Sequence, residues 1–294
     1  MAKVIMVQGT SSGVGKSVLT TALCRIFTED GYRVAPYKSQ NMSSNFYTLA
    51  DNSVMARSQA IAAYACNQEP KTDMNPILLV PESSKTQVIL NGKSLGKLNS
   101  NEFSQLKEHA LEEALAAYRR LAADNDIIVI EGAGSPVELN LNKNDIVNMG
   151  LAEKIGCPVI LVSDINRGGV FASLYGTMML LTESQRSMVK GVIVNKFIGE
   201  LSYFQDGMKI IEQLCQVPLL GVLPYIDIKL EDEDSLADNN VSLKSRELIS
   251  GQSYTGDTTA YRSLLNEEFN RLSKHFRTHL NMELLYKIMR EGER

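Results

Sequence analysis

Val4-Ile5-Met6-Val7-Gln8-Gly9-Thr10-Ser11-Ser12-Gly13-Val14-Gly15-Lys16-Ser17 is the stretch that decides the fold. An apolar run ends at Gln8, a Gly- and Ser-rich turn follows, and Gly15-Lys16-Ser17 leads into residues with helical spacing. Strand, loop and helix in that order are what a phosphate-binding loop requires. In such a turn the backbone N–H groups of Ser12, Gly13, Val14, Gly15, Lys16 and Ser17 converge on phosphate oxygens, and the helix N-terminus adds partial positive charge. Lys16 is placed to reach the terminal phosphates, and the Ser17 hydroxyl to ligate Mg²⁺. Gly9 stands six residues before Gly15, one more than the usual spacing. A Gly-rich turn without a ligand is the plainer alternative, because glycine permits any tight turn. The buried-looking strand ahead of Gly-Lys-Ser favours nucleotide binding.

Outward from the loop, strands alternate with helices. The helix opened by Gly15 is expected to run to about Asp30, with Val18, Leu19, Ala22, Leu23 and Ile26 on its core side. Gly31 ends it, and Tyr32 to Pro36 gives a second strand. Tyr37 to Asn45 is polar and leaves the carboxyl end of that strand, where ligand crevices lie in parallel sheets. Lys38 among Gln40, Asn41, Ser43 and Asn45 suits anionic substrate groups, although a solvated loop would look similar. Residues 53–66 read as helix, 70–81 as an irregular connection, and Gln87 to Leu90 with Asn91-Gly92 as a strand and tight turn. Glu102 to Ala123 reads as a long helix carrying His109 on its face.

Three strand ends carry further chemistry. Asp126 to Glu131 has four β-branched residues in a row, the mark of a strand buried on both faces. It closes on a carboxylate and Gly132-Ala133-Gly134, as the Mg²⁺-side strand of a P-loop enzyme should; a strand-end acid capping the next segment is the alternative. Pro158 to Ser163 ends in Asp164, with Arg167, Gly168 and Gly169 ahead of a helix, which fits a substrate loop or a plain helix cap. Lys190 to Asn195 ends in an amide suited to a purine edge. Pro218 to Leu223 completes the alternation of a doubly wound, mostly parallel α/β sheet of the P-loop NTPase type.

The 294 residues leave room for one large domain and an appendage, and the 44% hydrophobic fraction supports a core. No apolar run approaches the ~20 residues of a membrane span. Lys3 leads straight into the first strand, so no secretory leader is expected. A net charge of −4 argues against a nucleic-acid surface. The four cysteines lie far apart and read as buried thiols of a cytoplasmic protein. After Pro224 come an acidic run at 231–234 and a polar stretch at 238–259. Leu265, Phe269, Leu272, Phe276, Leu280, Leu284 and Ile288 then mark an amphipathic helical appendage over 260–294 with a break near Asn281. His275 and His279 are four apart, but without a third ligand in view they read as surface histidines.

In order, Gly9 to Ser17, Lys38 to Asn45, Asp73 to Pro76, Glu131 to Pro136, Asp164 to Ala172 and Asn195 to Phe197 resemble the cobyric acid synthase family. Glu231 to Leu236 and Phe269 to Met289 match as well, so the resemblance covers nearly the whole chain, and the irregular Gly9–Gly15 spacing is shared with the related dethiobiotin synthetase. The resemblance implies a corrinoid substrate, with ATP phosphorylating propionates b, d, e and g of adenosylcobyrinic acid a,c-diamide and ammonia displacing phosphate to leave amides. It implies that Lys16, Lys38 and Asp164 serve the chemistry, that Ser17 and Glu131 hold Mg²⁺, and that Asn195 reads the adenine. It places the substrate on Gln40, Asn41, Ser43, Asn45, Arg167, Gly168 and Gly169.

Departures from the family sharpen those expectations. Members carry a glutamine amidotransferase domain of roughly 200 residues, whereas residues 1–235 here pass through a linker at 236–259 to the family's last helix. No cysteine lies in a Gly-Cys-Gly-Gly elbow, so ammonia, free or from a separate glutamine amidotransferase subunit, is expected to come from outside this chain. Val54 stands where the family has a Glu suited to the metal or phosphate side, with Asp51 nearby, and Ala62 and Tyr64 replace a Gln and a Glu. A catalytically impaired ATP- and corrinoid-binding remnant with a regulatory or scaffolding role is therefore the second reading. A partition-type ATPase switch acting through dimers is the third; it would usually carry a second Lys early in the loop, which Thr10 to Ser12 lacks, and under any of the three readings the chain is open to forming a homo-oligomer.

Overall fold

The computed structural model describes residues 2–82, 85–140, 145–230 and 259–291. The acidic run at 231–234 and residues 236–258 of the expected linker lie outside them. In chain order the strands are β1 (Lys3–Gly9), β2 (Val34–Tyr37), β3 (Gln40–Met42), β4 (Phe46–Thr48), β5 (Val54–Ala56), β6 (Ile77–Pro81), β7 (Thr86–Leu90), β8 (Lys93–Leu98), β9 (Ile127–Glu131), β10 (Val159–Asp164), β11 (Val189–Phe197) and β12 (Leu219–Pro224). The α-helices are α1 (Lys16–Glu29), α2 (Arg57–Ala65), α3 (Ser100–Asp124), α4 (Met149–Ile155), α5 (Val170–Leu180), α6 (Glu183–Met188), α7 (Gln205–Cys215), α8 (Thr259–His279) and α9 (Met282–Glu291).

Six parallel strands form the main sheet in the order β12-β11-β10-β1-β9-β2. β9 and β10 are buried at every residue, which is why they read as unbroken apolar runs. Successive side chains feed opposite faces. Ile5, Val7, Ile127 and Val129 join one core with α1, α2, α8 and α9, while Met6, Ile128 and Ile130 join another with α3, α4, α5 and α7. The sheet is therefore doubly wound as its sequence implied. The chain leaves β1 towards β2 on one side and later fills β10 to β12 on the other. The carboxyl end of β1 thus lies at the topological switch point, the usual ligand crevice of such sheets.

A second sheet, β3-β6-β7-β8, corrects the expectation of a loop at 37–45 and an irregular connection at 70–81. β3 pairs parallel with β6 through Gln40 and Ile77, and β6 pairs antiparallel with β7. Asn91 and Gly92, both at positive φ, make the turn into β8, as Asn-Gly hairpins require. Ala110 and Ala114 of α3 cover this sheet against Ile77, Leu79 and Val88. Residues 53–66 are likewise not one helix. Val54 to Ala56 pair antiparallel with Phe46 to Thr48, and α2 starts only at Arg57. A cross-strand partner overrides local helical preference there.

The C-terminal helices complete the main core. Leu265, Phe269, Leu272 and Phe276 of α8 pack in the cluster that holds Leu19, Leu23 and Phe27 of α1. The break falls as expected: Leu280 bridges Gly221, Asn281 N donates to Leu220 O at 2.8 Å, and the Asn281 side-chain Oδ1 caps α9 by accepting from Leu284 N at 3.0 Å. His275 Nε2 bonds Pro224 O at 3.1 Å and so ties α8 to the end of β12, whereas His279 Nδ1 bonds His275 O at 2.7 Å within its own helix. A Cβ on Gly221 would lie 2.2 Å from His279 O. Gly221→Ala is therefore expected to push α8 off β12 and destabilise the fold by about 1–3 kcal/mol, read by urea unfolding. Among the described residues no helix is long and apolar enough to cross a membrane.

Candidate functional site: a phosphate loop facing a buried carboxylate

α1 begins without a side-chain cap. Gly15 precedes it at φ 99°, and no acidic residue stands in its first turn. The positive end of the helix is thus a ready site for an external anion. Ser11, Ser12 and Gly13 are exposed along the loop, whereas Lys16 is buried. The Lys16 Nζ donates to Ser11 O and to Gly134 O, each at 3.0 Å, so one ammonium joins the loop after β1 to the loop after β9.

Glu131, only 1% exposed, is where four elements meet. Its Oε1 accepts from Ser17 Oγ at 2.7 Å and from Lys38 Nζ at 2.9 Å, and its Oε2 accepts from Gln59 Nε2 at 3.1 Å. Lys16, Ser17, Lys38 and Glu131, singled out separately in the sequence, are thus brought to one place. Burying a carboxylate beside an ammonium is costly unless every acceptor position is used, and here both oxygens are engaged.

Residues that the sequence did not mark as functional hold this cluster in shape. Lys38 N donates to Met74 O at 2.9 Å, and Asn75 Nδ2 donates to Lys38 O at 3.0 Å and to Ile77 O at 3.1 Å. Asn75 Oδ1 in turn accepts from Ala56 N at 2.9 Å, linking the start of α2 to Lys38. Arg120 of α3 grips Asp73 through two nitrogens, at 3.0 and 2.6 Å. Asn148 Nδ2 donates to Ala133 O at 2.6 Å and Ser135 O at 3.2 Å, shaping the loop beyond Glu131. The Asp73-to-Pro76 stretch of the family resemblance carries the sequence signal for Asn75.

On the opposite side of the phosphate loop stands a brace from β10 and β11. Asn195 Nδ2 donates to Val14 O at 2.8 Å, and its Oδ1 accepts from Lys196 N at 2.8 Å. Lys196 Nζ donates to Gly13 O at 2.6 Å and lies 3.1 Å from Asp164 Oδ2. Asn195 and Lys196 therefore touch the loop from its far side, Asp164 reaches it only through Lys196, and sequence reasoning did not single out Lys196. A Cβ at position 15 would lie 2.3 Å from Asn195 Nδ2, which is a second reason for glycine there.

The expected substrate residues divide. Asn41 and Ser43 are buried and tied to the scaffold, Asn41 Nδ2 to Ser58 Oγ at 3.3 Å and Ser43 N to Leu79 O at 3.0 Å. The Ser43 hydroxyl also accepts from Asn45 N at 3.0 Å. Gln40 is half-buried, and Arg167, Gly168 and Gly169 are exposed ahead of α5. Val54 packs beside Ala56, Leu78 and Ile89. Asp51 accepts from Ser53 N and Oγ, which hold its carboxyl below the usual range in a local turn. Tyr64 OH bonds Tyr47 OH at 2.9 Å, and Ala62 is buried. All four cysteines are buried and outside any disulfide, burial pushing the Cys157 thiol up to about 12 and that of Cys215 to about 11.

A parallel, doubly wound sheet with a Gly-Lys-Ser loop at its switch point and an acid on the neighbouring strand defines a P-loop nucleotide-binding protein. The chain belongs to the CobQ/CobB/MinD/ParA nucleotide binding domain (CbiA) family, whose family model matches residues 5–236. It is similar to the cobyric acid synthase of Ruminiclostridium cellulolyticum, at 53% identity over 239 residues covering 81% of this chain and 46% of that protein. The cobyric acid synthase of Alkaliphilus metalliredigens is 54% identical over 234 residues, covering 79% of this chain and 46% of its own length. That of Clostridium novyi is 52% identical over 237 residues, covering 80% and 47%. The chain spans about half the length of the curated relatives it matches. Among solved structures, the GDP complex of FtsY from Elizabethkingia anophelis aligns with a TM-score of 0.43 at 17% identity, covering 77% of this chain and 58% of that one.

Proposed function

We propose that this chain carries the ATP-dependent amidating step of a cobyric acid synthase, acting on propionate side chains b, d, e and g of adenosylcobyrinic acid a,c-diamide in cobalamin biosynthesis. The observation that carries the reading is the convergence of Ser17 and Lys38 on Glu131 behind an uncapped helix N-terminus, within a chain more than 50% identical to cobyric acid synthases. The loop amides and Lys16 hold the triphosphate. A propionate oxygen attacks the γ-phosphorus, ADP leaves, and an acyl-phosphate forms on the corrinoid. Ammonia then attacks the acyl carbon, phosphate leaves with the C–O bond, and the extra proton is lost to solvent.

Phosphoryl transfer of this kind is positioning and charge neutralisation rather than covalent catalysis by the protein. Ser17 Oγ and Glu131 Oε1 are hard oxygen donors 2.7 Å apart from adjoining elements, a pair that fits magnesium. Those two atoms would hold the ion, which supplies positive charge to the phosphate oxygens. Lys38 adds a second buried cation beside the same carboxylate, and Asn195 and Lys196 keep the loop open from behind. Asn195 is also the residue we assign to the adenine edge.

None of the four buried cysteines is disposed as a glutaminase nucleophile, so ammonia reaches the site from a source other than these residues. ATP turnover by the purified chain with the corrin diamide tests the reading. Ammonium is expected to support ADP formation and amide product, and glutamine alone is not. Turnover on glutamine alone would overturn the ammonia assignment. Silence at saturating ammonium would overturn the ligase reading.

A further inference from the structure

Gln59 lies in the first turn of α2 and is 1% exposed. Its Nε2 donates to Glu131 Oε2 at 3.1 Å, while its Oε1 is buried without a hydrogen-bond partner. Chemistry sets that orientation. An ionised carboxylate only accepts, so the amide nitrogen must face Glu131 and the carbonyl must face away from it. A buried carbonyl left unpaired opposes folding. Packing alone would be served equally well by methionine or leucine.

Two further facts give the arrangement its meaning. Gln59 takes Oε2, whereas Ser17 and Lys38 both use Oε1. The amide therefore fixes the carboxylate's rotation and directs one oxygen at the end of the phosphate loop. Position 54, where the family resemblance expects an acid, is a valine packed on the small sheet with Leu78 and Ile89. The group that α2 brings to Glu131 is the Gln59 amide, and Val54 of β5 supplies no acid.

We infer that Gln59 is a positioning residue for the magnesium–nucleotide state: it locks Glu131 with Oε1 presented to Ser17, and keeps its own carbonyl available as an acceptor in the loaded site. The inference rests on the proposed function, in that it takes Ser17 and Glu131 as the magnesium side of the site. Outer partners of metal-binding groups typically govern affinity by 10- to 100-fold.

Fluorescence titration of the full chain with a mant-labelled ATP, in EDTA and across a range of Mg²⁺, reads this without turnover. Gln59→Met keeps the volume and removes both polar ends. Its affinity in EDTA is expected to stay within about two-fold of wild type, while the tightening produced by Mg²⁺ falls by roughly ten-fold or more. Gln59→Glu keeps the shape but cannot donate to an ionised carboxylate. Its Mg²⁺ tightening is expected to be lost at alkaline pH and to recover as pH falls and a shared proton restores the donor, a trend that lost packing would not produce. Should Gln59→Met fail to fold by circular dichroism, the pH profile of Gln59→Glu decides. Wild-type tightening retained in the variants overturns this inference alone. Absence of Mg²⁺ tightening in the wild type overturns the magnesium assignment of the proposed function, and the inference with it.

Discussion

Lys16→Ala is expected to lower ATP-dependent turnover by about 10²–10³-fold while the chain still unfolds cooperatively, close to the wild-type midpoint. The two halves of that expectation come from different contacts. The Lys16 ammonium bridges Ser11 O and Gly134 O at 3.0 Å each, and Ser11 is exposed while Gly134 is half-buried. Water replaces a lost donor at such carbonyls, so neither is left unsatisfied when the ammonium is removed. Nothing in the variant can replace a cation on the transferring phosphoryl group, where charge accumulates away from bulk water. Steady-state turnover at saturating ATP and ammonium, paired with a thermal melt, separates the two. Near-normal turnover would remove the phosphate-loop assignment, and a collapsed melt would show Lys16 to be structural.

How much of this was legible in the sequence follows the range of the interactions. The stretch from Val4 to Ser17 could be read because its strand, loop and helix signals are all local. β9, β10 and the middle of β11 announced themselves through apolar runs that burial on both faces demands. β3 and β5 are three residues long and exist only because Ile77 and Phe46 lie opposite them, so no local pattern reports them. β8 is exposed along nearly its whole length and lacks any apolar alternation. The amphipathic stripe of α8 showed that Phe269 and Phe276 needed a partner, but not that the partner was α1. Within the site, Lys16, Ser17 and Glu131 belong to a pattern with a known mechanism, whereas Gln59, Asn75, Asn148 and Lys196 are single amides or amines. Lys196 meets Gly13 across 183 positions, and Gln59 meets Glu131 across 72. Such side chains acquire a role only once the fold has closed.

Glu131→Gln should abolish turnover and also destabilise the protein, and a second substitution should reverse only the destabilisation. The carboxylate and the Lys38 ammonium are both buried, with side-chain exposures of 1% and 5%. Neutralising one partner of such a pair leaves the other as an uncompensated buried charge, at a cost of about 3–5 kcal/mol. Geometry adds to the penalty. Glu131 accepts from Ser17 Oγ, Lys38 Nζ and Gln59 Nε2, and an amide offers only one oxygen, so its NH₂ must face at least one of these donors. Lys38→Met removes the stranded charge, and replacing a buried ion pair by apolar volume is often neutral or stabilising. The double variant is therefore expected to regain most of the lost unfolding free energy in urea. It should remain inactive, with Mg²⁺ no longer tightening nucleotide binding, because neither a hard anionic oxygen nor the second cation is left beside Ser17. Recovery of turnover along with stability would mean that Glu131 serves only the fold, and the magnesium side of the site would have to be sought elsewhere along the loop.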